Sequence, residues 1–565
     1  MKRTAIFVAF AALLISGSAF AAAPIVIINN NVPGVGFNDP TPAAPIGGNP
    51  GTTVGEQRLN AFRHAAGIWG AKLDSRVEIR ILAQFVNQTC TPTSATLGSA
   101  GAAYIIRDFP GAAPATWYSP ALANKLAGID LVPTVHDINA NFNALLNGSP
   151  TCLGGRGWYY GYDANEGTNI DFVAVLLHEM GHGLGFQTFT SLSTGAFPSS
   201  AGVAFPDTYA IRLMNAATSK TYPQMTPLER VAASVNSRNL VWIGGRVTAG
   251  VPSVLAFGVP LLTVNSPASV AGKYSVGVAQ FGAPLTSSGV TGSVVLGLDA
   301  ANAAGPLTTD GCSPLTNDVS GKIALMDRGA CLFVVKVKNA QNAGAIGVII
   351  ADIVAGSPPP DLGGADPTIT ISAVRITLAD GNKLKPALPL SATIGRDMSA
   401  RAGAHPLLQM AQMFAPNPAQ PGSSVSHYDT IAFPNQLMEP SINSNLTHNV
   451  EPPFDLTLPL FRDIGWYLDR DLDLTDDEGA DQCLASDLRP TINIGSCDTG
   501  IDSSFSSATG CTRTDLIAKL AAGARNHGDF VSGVTDLANQ WKKSGAISGK
   551  QFADVVSCAA GSQLP

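Results

Sequence analysis

Residues 171–184 read DFVAVLLHEMGHGL. The apolar run Phe172, Val173, Val175 and Leu176 places this stretch on a core-packed helix. Asp171 stands where a carboxylate favours a helix N-terminus. Within the helix lies His178-Glu179-Met180-Gly181-His182. Positions i and i+4 share a helix face, so both imidazoles can reach one zinc ion. Glu179 then lies beside the metal, where it can take a proton from water. The plain alternative is a buried helix with two hydrogen-bonded histidines.

A catalytic zinc takes three protein ligands and keeps one position open. Gly183-Leu184-Gly185-Phe186-Gln187-Thr188 follows the motif. Gly185 is expected to end the helix in a left-handed conformation and turn the chain. In short-spaced metzincins a third His falls where this chain has Thr188, so the third ligand comes from elsewhere. Three residues compete for that role. Glu229 lies in a helix-like LERVAAS run and would make a gluzincin-type site. Asp207, in PDTYA, would make an aspzincin-type site. His427 lies 245 residues past His182 and is favoured by Met438, eleven residues later in a Pro/Asn-flanked turn. A turn bearing Met beneath the zinc site is a metzincin feature.

HEMGHGLGF followed late by SHYD…NQLMEP resembles the leishmanolysin-like metzincins, zinc endopeptidases with a large insertion before the third His. The resemblance implies one catalytic Zn2+ held by His178, His182 and His427, Glu179 as general base and Met438 as the turn Met. Tyr428 stands where that family often has Trp, and the insertion is longer than usual. Tyr428 is also a candidate donor to a developing oxyanion.

The insertion has its own resemblance. Gly311-Cys312 through GKIALMDRGACLFVVKVKNAQNAGAIGVIIADI is similar to the protease-associated (PA) domain. The features are the GKIAL strand, Asp327-Arg328-Gly329, the Cys312/Cys331 pair and the AQNAGAIGVII step. The resemblance implies no catalytic groups here, but an influence on substrate access or protein contact; a purely structural lid is the alternative.

Outward from these motifs, the chain starts MKRTAIFVAFAALLISGSAFAAAP, with Lys2 and Arg3, an apolar stretch and small residues at the cleavage point. This pattern predicts an exported protein with residues 1–23 as signal peptide. Removing two basic residues changes the net charge from −7 to about −9. A basic nucleic-acid footprint is absent. Charged residues are only 13%, against about 25% for an average domain. Gly and Pro together make about 17%, below the level that signals disorder. The length of 565 residues requires several cores. Residues 247–264 are uncharged, but Gly250, Pro252, Gly258 and Pro260 argue for short buried strands rather than a membrane span.

The expected architecture is α+β: a metzincin-like catalytic domain split by a β-rich PA insertion, plus a small helical, disulfide-bearing C-terminal extension. The bounds are 24–264 for the first catalytic part, 265–395 for the insertion, 396–468 for the second part and 469–565 for the acidic linker and extension. Within them, 24–55 reads as an extended arm and 398–414 as helix-like. The acids of 469–481 read as a solvated linker; Ca2+ there has weak support, because the EF-hand order is missing.

Eight cysteines in an exported chain read as disulfides. Their location suggests Cys312 with Cys331 in the PA-like insertion and Cys90 with Cys152 in the catalytic part. Cys483, Cys497, Cys511 and Cys558 allow three connectivities. His64, His136, His405, His448 and His527 lack metal-ligand spacing, and Trp158-Tyr159-Tyr160 reads as aromatic core. The function expected is a zinc endopeptidase acting on protein or peptide substrates outside the cytoplasm, extracellular or periplasmic, with no transmembrane segment in the mature chain. An exported zinc-binding adhesin and a non-peptidase zinc hydrolase are the rivals.

Overall fold

The computed structural model describes residues 23–443, 445–469, 471, 475–477, 479, 481–503 and 509–565. The signal-peptide reading therefore lies outside the described residues, Ala23 excepted. No helix among the described residues is long and apolar enough to cross a membrane.

The first unit is built on a four-stranded sheet in the order Ile25–Asn29, Ile79–Val86, Ile138–Asn143, Gly98–Ala102. The first three strands run parallel and the last is an antiparallel edge. Ile79–Val86 alternates buried and half-buried residues, as one core-facing side requires. Two helices cover the core face. Val54–Lys72 starts with a reciprocal capping box between Thr53 and Glu56. Phe172–Leu184 starts at Asp171, whose Oδ1 accepts from the N–H groups of Val173 and Ala174 at 2.9 and 3.2 Å. Trp69 Nε1 donates to the carbonyl of Leu177 at 3.1 Å and joins the two helices.

The core of this unit draws on residues 23–255 and again on 404–466, with none from the stretch between. That stretch forms an eight-stranded sheet with a core on each face. Its middle strands, Val290–Leu296, Ile323–Asp327, Gly347–Ala351 and Ser372–Ile376, are parallel. The sheet begins at Phe257 and ends at Arg401, because Phe257–Ser266 and Leu390–Arg401 pair as an antiparallel stem. This stem runs past both the 265 and the 395 bounds read from composition.

Four local readings change. Residues 24–55 are not a free arm: Ile25–Asn29 is a sheet strand, and Arg58 Nη1 donates to the carbonyl of Gly36 at 2.9 Å. Residues 245–254 form a helix despite Gly250 and Pro252. The reason is tertiary: Asp463, distant in sequence, accepts from the N–H groups of Arg246 and Val247 at 2.8 and 3.1 Å. Val247, Val251 and Val254 meanwhile face the core. Residues 398–414 are not helical. The strand continues to Arg401, Pro406 follows, and Met413 and Phe414 donate instead to the carbonyls of Leu240 and His427. The acids of 469–481 do not all lie free in solvent: Asp469 is buried, and Asp476 pairs with Arg246 at 2.5 Å.

The C-terminal extension contains a hairpin, Thr491–Ile494 with Cys497–Asp502, as well as three helices. All eight cysteines are paired, as Cys90–Cys152, Cys312–Cys331, Cys483–Cys511 and Cys497–Cys558. The last two pairs select one of the three connectivities left open by sequence.

Candidate metal centre

His178 and His182 project from one face of the helix Phe172–Leu184 into a cleft of about 890 Å3. His427 comes from a loop on the far side of the insertion, held where Phe414 donates to its carbonyl. The three Nε2 atoms lie 3.1, 3.2 and 3.2 Å apart. All three side chains are buried.

Each Nδ1 is committed elsewhere. His178 Nδ1 faces the carbonyl of Leu437 at 2.8 Å, His182 Nδ1 that of Phe186 at 2.9 Å, and His427 Nδ1 that of Ser423 at 2.8 Å. A carbonyl only accepts, so each Nδ1 carries the proton and each Nε2 presents a lone pair. Burial keeps the rings neutral, driving His178 down to about 4, His182 to about 3 and His427 well below the ordinary histidine value. Three buried lone pairs thus face one another with no hydrogen between them. A tetrahedral zinc with Zn–N bonds of about 2.05 Å would set its nitrogens about 3.3 Å apart, so the residues present fit that ion.

The supports come partly from the motif's own turn and partly from segments far along the chain. Gly185 has φ 124° and ψ 9°; the positive φ would strain a side chain, and it lies beyond the left-handed helical well expected. This turn lets Phe186 N–H return to the carbonyl of Gly181 at 3.0 Å and aims the Phe186 carbonyl at His182. Trp466 Nε1 takes up the carbonyl of Leu184 at 2.8 Å. Met438 lies under the helix, its Sδ 2.6 Å from where a Cβ on Gly181 would stand, so only glycine admits that approach. Asp455 Oδ2 accepts from Leu437 N–H at 2.6 Å and fixes the turn whose carbonyl holds His178.

Glu179 shares the helix and lines the same cleft. Burial pushes its carboxyl up to about 8, opposed by the N–H of Ala100 on the edge strand. Residues 98–102, GSAGA, carry no strand pattern of their own.

The competing third ligands lie elsewhere. Glu229 is half-buried, caps its own helix through Thr226 N–H at 2.8 Å and pairs with Lys220 at 2.5 Å. Asp207 is buried but spends both oxygens on Thr188, Phe189, Tyr209 and Ala210. Tyr428 is no oxyanion donor: its hydroxyl is buried against the carbonyl of Leu456 at 2.9 Å. Trp158, Tyr159 and Tyr160 are buried, and Tyr160 accepts from Arg58 Nε at 2.8 Å. Asp469, Asp471 and Asp477 bring carboxylate oxygens within 4.8 Å of one another.

The PA domain family matches residues 290–384, so the chain carries a PA domain. Vacuolar-sorting receptor 1 of Pisum sativum is 35% identical over 22% of this chain and 21% of its own length. ER degradation-enhancing alpha-mannosidase-like protein 3 of Homo sapiens is 45% identical over 15% of this chain and 8% of its own. Minor extracellular protease Vpr of Bacillus subtilis is 34% identical over 14% of this chain and 9% of its own. The chain therefore spans about a fifth or less of these relatives. Among solved structures, an aminopeptidase from Aneurinibacillus sp. strain AM-1 matches with TM-score 0.19 and 28% identity over 25% of this chain and 31% of that one. The zinc aminopeptidase BSAP of Bacillus subtilis matches with TM-score 0.19 and 23% identity over 27% and 36%.

Proposed function

We infer that this chain is a secreted zinc metalloendopeptidase of leishmanolysin-like metzincin type, acting on proteins or peptides. The observation that carries this reading is the meeting of three buried Nε2 lone pairs 3.1–3.2 Å apart, beside Glu179, on an open cleft. His178, His182 and His427 would hold the ion. Bound there, zinc would supply Lewis acidity, polarising a carbonyl and acidifying water.

The rest falls to the chain's own groups. Glu179 takes a proton from the attacking water and returns it to the leaving amine. The N–H of Ala100 orients its carboxylate. The carbonyls of Leu437, Phe186 and Ser423 fix each ring's tautomer and direction. Four disulfides and the N-terminal leader pattern support export. A carboxylate poised beside the ligands and a cleft open to substrate favour catalysis over a purely structural metal.

The test is cleavage of casein by zinc-loaded protein, wild type beside Glu179→Ala. We expect the substitution to keep zinc and to lose about 10²–10⁴-fold in turnover. Equal rates would sink the assignment of the base. No cleavage by either protein, with zinc bound, would favour the binding-protein rival.

A further inference from the structure

Lys336 is fully buried in the PA insertion, on the helix Phe333–Asn342. Burying an ammonium is costly unless a counter-charge meets it. Among the described residues no carboxylate pairs with it directly: Nζ donates to the carbonyl of Asp310 and, at 3.3 Å, to Cys312 Sγ. Burial opposes its charge, and Asp310, Asp299 and Asp327 compensate only from a distance. Two of these carboxylates have donors of their own. Asp310 accepts from the N–H groups of Cys312 and Leu307 at 3.1 and 3.2 Å, and Asp327 from the Thr309 hydroxyl and Lys385.

The sulfur partner is the informative one. Cys312 is bonded to Cys331, and sulfur in that state is a weak acceptor. Cys312 Sγ nevertheless receives two donors, Lys336 Nζ and the N–H of Cys331, each at 3.3 Å. Both gain little from a neutral sulfur and much more from a thiolate. The surroundings of Cys312 are thus complementary to the anion that forms when the disulfide opens. The two sulfurs also differ in access. Cys312 is buried, whereas Cys331 is half-buried between exposed Ala330 and exposed Leu332. Cys511 Sγ likewise meets a lysine, Lys519 at 3.4 Å, but that lysine is exposed and water already solvates its charge.

We propose that Cys312–Cys331 is a thiol-exchange site, at which a small thiolate attacks Cys331 Sγ and Cys312 leaves as a thiolate against Lys336. The bond from the incoming sulfur to Cys331 forms as the Cys331–Cys312 bond breaks. The electron pair of the broken bond passes to Cys312, so the step involves no net oxidation or reduction. The insertion then carries the thiol as a mixed disulfide on Cys331. Stabilising the leaving sulfur speeds this reaction, because a better leaving thiolate departs faster. The site rests on neither the zinc nor the peptidase reading.

The experiment exposes the oxidised full-length chain to glutathione and quenches at successive times with excess N-ethylmaleimide. Peptide mapping by mass spectrometry then locates each adduct. We expect glutathione on Cys331 with maleimide on Cys312, about ten-fold over the reverse arrangement. Lys336→Met, similar in length and without charge, should slow this exchange about ten-fold and leave exchange at Cys90–Cys152 unchanged. A lysine that only held the loop in place would give the opposite result, since loosening the loop exposes the disulfide and speeds exchange. Glutathione on Cys312, both arrangements in equal amount, or no exchange at this pair in the folded chain overturns the site. Exchange in folded Lys336→Met at or above the wild-type rate overturns it as well. Should Lys336→Met fail to fold, the arrangement found in wild type decides by itself.

Discussion

The PA insertion and the unit proposed as catalytic treat buried charge in opposite ways. In the insertion, Asp352 is buried between Arg375, which donates from Nε at 2.9 Å, and Arg328, which donates from Nη1 at 3.2 Å. Burial would raise its carboxyl, yet the guanidiniums hold it below the usual range. Lys336, fully buried, donates to the carbonyl of Asp310 and contacts Cys312 Sγ at 3.3 Å. These groups satisfy one another. In the catalytic unit, three imidazoles turn lone pairs on one another, and Glu179, Asp207 and Asp137 are buried acids whose carboxyls burial pushes up to about 8, 6 and 6. The difference separates a scaffold that closes its polar groups internally from the cluster of His178, His182 and His427, whose Nε2 atoms face only one another; Asp207 and Asp137 are satisfied by donors of their own unit.

The contrast can be broken most severely at the metal. Removing zinc with a chelator, or substituting His427→Ala, should lower the melting midpoint of the catalytic unit by more than about 5 °C. The insertion's own transition should stay where it was. Metal analysis and calorimetry check both, and a shared shift would show that the units unfold as one. Next comes the insertion itself: Asp352→Asn strands the Arg375 charge and should cost about 3 kcal/mol, read by urea unfolding, with zinc stoichiometry unchanged.

The two units should also slope oppositely with pH. Asp137 accepts from Arg80 N–H at 2.8 Å and Asn124 Nδ2 at 2.9 Å, and its pKa is raised above the unfolded value. Its contribution is complete below about pH 3.8 and is lost as pH rises through about 6. The stability of wild type relative to Asp137→Asn should therefore fall by about 2 kcal/mol between pH 4 and 7. Asp352, held low, should lose its contribution only as pH falls below its unfolded value. A flat difference between wild type and Asp137→Asn would remove that side of the contrast. The smallest effect belongs to Glu229→Gln: its pairing with Lys220 is screened by solvent, so stability should barely change and zinc content should stay intact. Loss of zinc from that variant would revive the gluzincin reading.

Much of this was legible one segment at a time. The i, i+4 spacing of His178 and His182, the Asp171 cap, Gly185 and the PA motifs are short-range patterns, and short-range geometry follows from local dihedral preferences. Local signals also misled. Pro252 argued against a helix that Asp463 caps from over 200 residues away, and Met398–Phe414 carried a helix-like pattern that Leu240 and His427 drew into other pairings. The edge strand at 98–102 was missed because Gly, Ser and Ala carry little strand propensity; its place beside Ile138–Asn143 supplies the reason.

By itself, then, the sequence determined the helix that carries His178, Glu179 and His182, the presence of a PA-like insertion and the redox setting of eight cysteines. Only the tertiary structure decided which distant carbonyls orient the three imidazoles, which cysteines pair in the extension, and that residues before 256 and after 403 share one core. The physical reason is sequence separation. A helix fixes neighbours four residues apart through its own pitch. Bringing His427 to His182 across 245 residues instead requires closing the insertion at its antiparallel stem and packing both flanks into a single core.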